Sequence, residues 1–411
     1  MSVSASEEGS PPLSLYHLMD PEVLADPYPL YRRLREQDPV HWDPYLHAWV
    51  VTRYEDVVTV LHRFDAARTP PPDRLEALGM GELTPIAALM VRQMLFMDPP
   101  EHGRVRRLAS VAFTARRVAR LREHIRQIAH TLVEELDGAG GFELMDRLAN
   151  PLPAIVTAEM LGVPTADHEL LKSWSQDFAE MLGNFQHNPG RAKKTLKSVE
   201  EMVAYFRAAV IREAEIPTEG LINALATAEV DGDRLTDDEI VANVIVTMVG
   251  GQETTTNLIG NGLLTLLRQP DQLRRLRAEP ALMPDAVEEL LRYESPSQHT
   301  ARLAPPDAVL GGKRIAEGDA VIAVMAAGNR DPERFSDPDR LELDREDNRH
   351  LAFGWAGHFC FGAPLARIEG QIAFEELLAR FPELSLAPDQ EIQWRPNLGL
   401  RGLTELQVLT G

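Results

Sequence analysis

The 411-residue chain has a single cysteine, Cys360. One thiol cannot form a disulfide within the chain, and it cannot supply a zinc or iron–sulfur site that needs four thiolates. No stretch of the sequence reaches 18 consecutive apolar residues, so we predict no membrane-spanning helix. Positive charge is also scarce, because 42 Lys and Arg residues face 63 Asp and Glu residues. The net charge of −21 argues against a nucleic-acid partner, since phosphate neutralisation needs a concentrated basic surface.

The sequence also lacks the features that divide a chain into separate domains. It has no fixed-period repeat and no Gly/Ser-rich or Pro-rich linker. We therefore predict one domain over residues 16–411, preceded by a disordered tail over residues 1–15. This tail has neither the basic segment nor the apolar segment of a secretory signal, which favours a cytoplasmic location.

Amphipathic helices are the main element that the hydrophobic pattern predicts. Apolar residues recur at spacings of three and four through residues 104–138 and 153–215. The longest uninterrupted segment, 235–269, begins with the capping box Thr236-Asp-Asp-Glu239 and stops before Pro270. Because it is apolar on most faces, we predict a central helix packed on all sides. Shorter predicted elements are helices in 26–39 and 54–61, a hairpin over 40–54, and strands at 308–315, 319–324, 383–386 and 404–409.

Cys360 lies in the loop Phe353-Gly-Trp-Ala-Gly-His-Phe-Cys-Phe-Gly362, immediately before a helical segment that begins with Ala363. A thiolate at a helix N-terminus is favoured by the helix dipole and by nearby backbone N–H groups, and it can bind a metal ion. The alternative is a buried cysteine that acts as a small apolar residue. The thiol alone leaves both interpretations open.

Two adjacent glycines interrupt the predicted central helix in the segment Gly250-Gly-Gln-Glu-Thr-Thr255. Each glycine weakens a helix by about 1 kcal/mol relative to alanine, so the pair needs a reason. One reason is that a flat cofactor approaches the helix there, beside the carboxyl group of Glu253 and the hydroxyl group of Thr254. The other reason is a close crossing of two helices, and the residues alone favour neither.

Two further segments pair polar residues at helical spacing. In Glu289-Leu-Leu-Arg292 the acid and the base lie three positions apart, which by itself is typical of a surface salt bridge. In Met97-Asp-Pro-Pro-Glu-His102-Gly-Arg-Val-Arg106 the histidine and the last arginine lie four positions apart, after a proline-enforced turn. Two such groups on one helix face suit a carboxylate ligand.

These four segments, in this order, resemble motifs of the cytochrome P-450 family. The cysteine loop matches Phe-Gly-x-Gly-x-His-x-Cys-x-Gly followed by Ala-Arg, except that Ala356 stands where the family usually has glycine. If that position needs a positive φ, alanine is strained there. The glycine pair resembles the oxygen-activating motif Ala/Gly-Gly-x-Asp/Glu-Thr, and residues 289–292 resemble Glu-x-x-Arg. The likeness runs from about Asp20 to the end of the sequence, and it implies a mainly α, single-domain cytochrome P-450 fold with a long central helix and small β-sheets.

The resemblance implies a cofactor and the residues that bind it. The cofactor is haem b without covalent attachment, since Cys-x-x-Cys-His is absent, and Cys360 is its iron ligand. The other implied cofactor-binding residues are His102, Arg106, Arg302 and His358 at the haem propionates, Gly250 and Gly251 on the central helix, and Phe353 and Gly354 in the loop.

The resemblance also implies catalytic and structural residues. Thr254 and Glu253 are the expected catalytic pair, which delivers protons during oxygen activation. The expected structural residues, which hold the core and take no part in the chemistry, are Glu289 and Arg292 with Arg345, or with Arg340 as second choice.

The implied reaction inserts one oxygen atom from O2 into a hydrophobic small molecule, by a hydroxylation or epoxidation of secondary metabolism. Because the sequence has no G-x-G-x-x-G fingerprint, electrons are expected from a ferredoxin and an NAD(P)H-dependent ferredoxin reductase. A series of arginines could steer such an acidic donor: Arg104, Arg106, Arg107, Arg116, Arg117, Arg120, Arg122 and Arg126.

Two alternatives stay open. One is a peroxide-driven oxidase or peroxygenase on the same fold, and the other is a non-catalytic haem module that senses a gas or recruits a partner. The intact Glu253-Thr254 pair favours the oxygen-dependent enzyme over both.

By family position, the substrate pocket is mostly apolar, with Gln298, His299 or Asn184 as polar anchors. The segments expected to line it are 70–96, 181–189, 297–300 and 398–400, together with Val246 and Gly250.

Overall fold

The structure, a computed structural model, describes residues 13–136, 140–183 and 189–411. Residues 1–12 of the predicted tail and the predicted substrate anchor Asn184 lie outside these ranges. The Ser14 hydroxyl lies 3.0 and 2.8 Å from the two carboxylate oxygens of Asp43 and donates its hydrogen to that carboxylate, and Leu15 is fully buried. The predicted boundary at residue 16 is therefore too late, because the folded domain begins no later than Ser14.

Helices dominate the described residues, which confirms the predicted fold class. The α-helices are α1 (Pro21–Ala25), α2 (Tyr28–Gln37), α3 (Tyr54–Arg63), α4 (Pro72–Ala77), α5 (Thr84–Met90), α6 (Glu101–Ala112), α7 (Ala115–Glu134), α8 (Pro151–Leu161), α9 (His168–Gly183), α10 (Pro189–Glu215), α11 (Leu221–Thr227), α12 (Asp237–Leu267), α13 (Pro270–Ala278), α14 (Met283–Tyr293), α15 (Met325–Gly328) and α16 (Ala363–Arg380). A π-helical turn, Met145–Ala149, precedes α8. None of the helices in the described ranges is both long enough and apolar enough to cross a bilayer.

The central helix α12 organises the core. The Thr236 side chain accepts a hydrogen bond from Glu239 N, and the Glu239 carboxylate accepts one of 2.8 Å from Thr236 N, so the predicted capping box is present. Most residues of α12 are buried, because α8, α9, α10, α14 and α16 pack around it. The helix ends at Leu267, and α13 begins at Pro270, within two residues of the predicted stop.

In the described parts of the chain, three small sheets accompany the helices. Their strands are β1 (Val40–Asp43), β2 (Ala48–Val51), β3 (Gly141–Glu143), β4 (Thr300–Leu303), β5 (Val309–Leu310), β6 (Lys313–Arg314), β7 (Ala320–Ala323), β8 (Ser385–Leu386) and β9 (Gln407–Leu409). The largest sheet has the order β1-β2-β7-β4, in which β2 and β7 are parallel and the other neighbours antiparallel. The other two sheets have the orders β3-β9-β8 and β5-β6.

Two predicted elements differ from the structure in detail, and two strands were not predicted. The segment 104–138 is two helices, because Phe113 and Thr114 leave the helix and the Thr114 side chain caps α7 by accepting from Arg117 N at 3.2 Å. The strand predicted at 308–315 is the hairpin β5–β6. Strands β3 and β4 were not predicted, because three or four residues without clear alternation become strands only through pairing with distant partners.

Candidate active site

The loop from Phe353 to Gly362 presents Cys360 at the start of α16. The Cys360 N–H donates a hydrogen bond of 2.7 Å to the Phe353 carbonyl, which closes the loop at its base. Two residues turn the chain in the left-handed region, Gly354 at φ +71° and Ala356 at φ +52°. Ala356 therefore has the positive φ at which alanine is strained, and a left-handed alanine costs about 1–2 kcal/mol.

The sulfur of Cys360 lies among dipoles and positive charges. Burial raises the pKa of the thiol, while the backbone N–H groups of Gly362 and Ala363 and the guanidinium groups of Arg106 and Arg367 act in the opposite direction. Directed N–H groups and nearby positive charge favour a thiolate when a metal ion binds. The loop thus offers the surroundings that a metal-bound thiolate requires.

Beside this loop lies a cationic cluster, which we define as His102, Arg106, Arg302 and His358. The rings of His102 and His358 lie with their centroids 4.1 Å apart. Arg302 is 3% exposed and donates from Nη1 to its own strand, at the Thr300 hydroxyl and the Ala301 carbonyl. After burial, the other three members each lower the pKa of His358, so the four predicted propionate-binding residues lie in one neighbourhood.

The cationic cluster fits an anionic ligand. Burial lowers the pKa of Arg302 to about 10 and that of His358 to about 3, so positive charge is disfavoured there as the protein stands. Within the described ranges, no partner exists for Arg302 Nε or His102 Nε2. Buried donors without acceptors are costly, and two haem propionates would supply both the acceptors and the counter-charge. The residues present therefore fit a haem.

The two central glycines face different surroundings. A Cβ built on Gly250 meets no atom within 4 Å, although α12 is otherwise mostly buried, so this glycine faces open space. A Cβ on Gly251 would lie 3.2 Å from Thr157 Oγ1 of α8. Gly251 therefore allows a close approach of α8 to α12, and its role in cofactor binding stays a prediction.

The predicted catalytic pair lies next to Gly250 on α12. Thr254 Oγ1 donates a hydrogen bond of 2.8 Å to the Gly250 carbonyl, so its hydroxyl lies on the side of the helix that carries Gly250. Glu253 is 7% exposed, and its Oε2 accepts a hydrogen bond of 2.8 Å from Arg395 Nη1. Burial raises the pKa of Glu253, and Arg395 and Lys172 oppose that shift. Glu253 is thus held in a buried ion pair.

Glu289, Arg292 and Arg345 form a buried structural cluster. Arg292 Nε donates to Glu289 Oε2 at 2.7 Å, and Arg345 Nε lies 3.1 Å from the same oxygen. The side chains of Glu289 and Arg292 are 0% exposed, and that of Arg345 is 4% exposed. Arg340, the second choice, is exposed and contributes only its carbonyl, which accepts from Arg292 and Arg345.

The neighbouring Glu288 supports the cysteine loop instead. Its carboxylate accepts two hydrogen bonds of 2.7 Å from Arg367, whose guanidinium lies 4.7 Å from the Phe353 ring centroid. Burial raises the pKa of Glu288, but the stronger combined effect of His350 and Arg367 lowers it to about 2. Two adjacent glutamates of α14 thus hold two different parts of the chain: Glu289 holds the segment around Arg345, and Glu288 holds Arg367 beside the cysteine loop.

One predicted substrate anchor is wrong. The Gln298 side chain is 2% exposed, accepts a hydrogen bond of 2.9 Å from the Tyr31 hydroxyl and donates one of 2.7 Å to the Ser295 carbonyl. It therefore belongs to the scaffold. The ring nitrogen Nε2 of His299 is also buried, and burial lowers the pKa of the ring to about 4, so it is neutral at physiological pH.

The arginines of α6 and α7 are only partly available to a partner protein. Arg104 pairs with Glu101, Asp233 and Glu239, and Arg122 and Arg126 pair with Glu375 and Glu376 of α16. Arg117 donates to the backbone carbonyls of Ala112 and Glu219. The arginines that remain exposed without an ion pair among the described residues are Arg107, Arg116 and Arg120.

Sequence reasoning missed two arginines of this region. Arg395 pairs with Glu253 from a segment that carries no motif. Arg68 lies near Arg302 and Asp98, and burial followed by repulsion from Arg302 lowers its pKa to about 9. Nothing local marked either residue, because each acquires its partners only through the tertiary fold.

Known proteins match nearly the whole chain. A family model described as Cytochrome P450 matches residues 86–405. The chain is 37% identical over 404 residues to Cytochrome P450 CYP107DY1 of Priestia megaterium, covering 95% of this chain and 97% of that protein. It is 39% identical over 389 residues to Mycinamicin IV hydroxylase/epoxidase of Micromonospora griseorubida, covering 92% and 94% respectively. Among solved structures, P450BioI in complex with an acyl carrier protein ligated by hexadec-9Z-enoic acid superposes with a TM-score of 0.89 at 35% identity, covering 95% of this chain and 99% of that chain.

Proposed function

The chain belongs to the cytochrome P450 family and is a haem-thiolate monooxygenase, and on this premise we propose that it hydroxylates or epoxidises a largely apolar secondary metabolite. The relative named a hydroxylase/epoxidase supports these two outcomes. The observation that carries the proposal is the open space at Gly250, with the Thr254 hydroxyl on the same side of the central helix. An apolar molecule and a proton donor could meet there.

We propose that the cofactor is haem b with Cys360 as its iron ligand. When bound, a haem with a thiolate ligand supplies the reductive activation of O2 and the transfer of one oxygen atom to carbon. Phe353 and Gly354 shape the loop that carries the thiolate, and the cationic cluster would hold the propionates. The unpartnered donors on Arg302 and His102 support this arrangement.

Thr254 is the residue proposed to deliver protons to the site during oxygen activation. A hydroxyl has one hydrogen to donate, and that hydrogen now goes to the Gly250 carbonyl. The same hydroxyl can accept a hydrogen bond while it does so, and rotation about its Cβ–Oγ1 bond would turn the proton toward the open side of the helix.

Glu253 is the residue proposed to resupply Thr254 with protons. Its Oε2 faces Arg395, so the carboxyl group must leave this partner before it can carry a proton toward Thr254. Because burial raises the pKa of Glu253, the carboxyl group takes up a proton more readily than an exposed glutamate would. Arg395 thereby controls both the position and the protonation of the relay.

Electrons come from a redox partner, which we propose to be a ferredoxin supplied by an NAD(P)H-dependent ferredoxin reductase. Arg107, Arg116 and Arg120 are exposed on α6 and α7 and could attract an acidic surface. Arg106, in the same helix as Arg107, donates a hydrogen bond of 2.6 Å to the carbonyl of Phe359, the residue before Cys360. The basic surface therefore adjoins the thiolate loop.

The experiment that tests the proposal compares oxidants at fixed substrate. Candidate apolar compounds are first ranked by the low- to high-spin shift of the haem spectrum, and the best binder is then incubated in three ways. NAD(P)H with a surrogate ferredoxin and reductase should give hydroxylated or epoxidised product, and peroxide alone should give much less. Product from peroxide alone at an equal rate would favour a peroxygenase, and no product from any oxidant would favour a non-catalytic haem module.

A further inference from the structure

We propose that Arg68 is a further residue that binds a haem propionate and that Asp98 positions it. This inference rests on the proposed haem site and goes beyond it, because Arg68 lies in no sequence motif. It is carried by the backbone pairing around Arg68, by the contacts of its guanidinium group and by the charge balance of the cationic cluster.

The backbone brings Arg68 to the cationic cluster. Asp65 and Leu303 exchange two backbone hydrogen bonds of 2.9 Å, so the segment that follows α3 runs beside strand β4. Leu303 directly follows Arg302 in that strand. Arg68 therefore lies only three residues after a residue that is paired with the strand that holds Arg302.

Asp98 fixes the turn before Arg68. Its two carboxylate oxygens accept hydrogen bonds of 2.8 and 2.9 Å from the backbone N–H groups of Ala66 and Ala67. Its own carbonyl accepts one of 3.0 Å from the N–H of His102, a member of the cationic cluster. One residue thus ties the Arg68 turn to the start of α6, and its carboxylate is committed to neutral backbone donors.

The guanidinium group of Arg68 has few partners among the residues that the structure describes. Nη1 donates a hydrogen bond of 3.0 Å to the Ala66 carbonyl, and the group stacks 4.5 Å from the centroid of the Phe96 ring. No carboxylate of residues 13–136, 140–183 or 189–411 forms an ion pair with it. A guanidinium carries five N–H donors, so the bond to Ala66 leaves most of them available to a ligand. Burial and repulsion from Arg302 together lower its pKa to about 9, as expected for a charge that lacks its counter-ion.

The charge balance of the region identifies the missing partner. Asp98 acts electrostatically on Arg68, Arg302, His102 and His358, so these residues share one neighbourhood. Three guanidinium charges lie here, those of Arg68, Arg106 and Arg302, and Asp98 is the carboxylate that acts on both Arg68 and Arg302. The two propionates of one haem would be counter-ions for these guanidinium groups. A substrate carboxylate could also use Arg68, but the propionates would then have one cationic partner fewer.

The test measures how firmly the holoenzyme holds its haem. Arg68→Gln removes the charge, Arg68→Lys keeps it, and Arg63→Gln is the matched control because Arg63 is exposed at the end of α3. Haem loss to excess apomyoglobin should be about tenfold faster in Arg68→Gln, partly restored in Arg68→Lys and unchanged in Arg63→Gln. The reduction potential should fall in Arg68→Gln, because a lost positive charge favours ferric over ferrous haem.

Two results would overturn the proposal. The first is haem retention and reduction potential in Arg68→Gln equal to those of the wild type. The second is unchanged haem retention with weakened binding of a fatty acid but not of its methyl ester, which would make Arg68 a substrate anchor. Arg68→Met, which fills the space beside Phe96, replaces the glutamine variant if that variant does not fold. A wild-type protein without a thiolate-type carbon monoxide spectrum would instead contradict the proposed haem site, so the two failures are distinguishable.

Asp98→Asn tests the positioning role. Asparagine offers one acceptor oxygen where aspartate offers two, so one of the two backbone hydrogen bonds to Ala66 and Ala67 is lost. Haem loss should be faster than in the wild type but slower than in Arg68→Gln, and adding Asp98→Asn to Arg68→Gln should add little. Full additivity of the two effects would show that Asp98 acts independently of Arg68.

Discussion

Arg395 Nη1 lies 2.8 Å from Glu253 Oε2, so a residue that follows the last helix pairs with the middle of the central helix. The same guanidinium donates to the Leu403 carbonyl at 3.0 Å, which anchors it to the scaffold. Glu253, the acid expected to resupply protons, is thus held by an arginine that is itself anchored to the scaffold.

Arg395→Gln should shift the pH dependence of coupled turnover upward. Arg395 opposes the burial that raises the pKa of Glu253, so its removal raises that pKa further and keeps Glu253 protonated to a higher pH. The measurement is product formed per NAD(P)H consumed across pH. Arg395→Lys should stay near the wild type, and Glu253→Gln should remove the ionisation that Arg395 controls. An unshifted profile in Arg395→Gln would contradict the relay.

Thr254→Ala should separate electron consumption from product formation. The variant keeps the apolar surroundings but loses the hydroxyl that now bonds to Gly250, so it should bind substrate and accept electrons. We expect hydrogen peroxide to become the main product, with oxygenated product per NAD(P)H lowered severalfold. Thr255→Ala is the control, because Thr255 is 1% exposed and points about 100° away around the helix. Full coupling in Thr254→Ala would exclude this role.

Cys360→Ser should abolish thiolate ligation. A serine hydroxyl is far less acidic than a thiol and is a poor ligand for iron, so the reduced carbon monoxide complex should lose its thiolate-specific absorption. The variant should still fold, because the loop is closed by the backbone hydrogen bond from residue 360 to Phe353. A wild-type spectrum of the histidine-ligated kind would contradict the assignment of Cys360 as the iron ligand.

Arg345→Met should destabilise the protein without altering its spectrum. It leaves the fully buried carboxylate of Glu289 with one guanidinium partner where it now has two. Breaking a buried ion pair costs about 3–5 kcal/mol, although Arg292 remains and keeps the loss at the low end. Thermal unfolding of the carbon monoxide complex gives the change. Arg340→Ala, at the exposed second-choice position, should leave the melting temperature unchanged.

Ala356→Gly should stabilise the cysteine loop. At φ +52° alanine is strained by about 1–2 kcal/mol, and glycine removes that strain at a smaller cost in backbone entropy. We expect a net gain of roughly 0.5–1 kcal/mol, read as a higher melting temperature and slower haem loss. A lower melting temperature would show that the alanine methyl group makes a contact worth more than the strain.

Local signals in the sequence carried much of the fold and the site. The capping box at Thr236 and the proline at 270 marked the central helix within two residues, because helix ends are set by neighbouring residues. The position of the cysteine loop before the helix that begins at Ala363 was also predicted from local residues. The sequence could not show which of Gly250 and Gly251 faces open space, because that depends on how α8 packs against α12.

Polar partners were harder to predict than positions. Gln298 was expected to meet a substrate, yet both groups of its amide bond to Tyr31 and Ser295. Arg68 and Arg395 carried no local signal, since each is defined by residues far away along the chain. A side chain's chemistry can be read from its type, whereas its partners follow from the whole fold.

The pairing of Asp65 with Leu303 has a consequence for how the haem site is assembled. Bringing these two residues together closes a long loop, and the entropy cost of loop closure makes such contacts slow to form. The bond from Cys360 to Phe353 closes a short loop and needs no distant segment. The thiolate side of the site can therefore form early and locally, whereas the side that carries Arg302 must wait for both halves of the chain to meet. Tight haem uptake would then report that folding is complete.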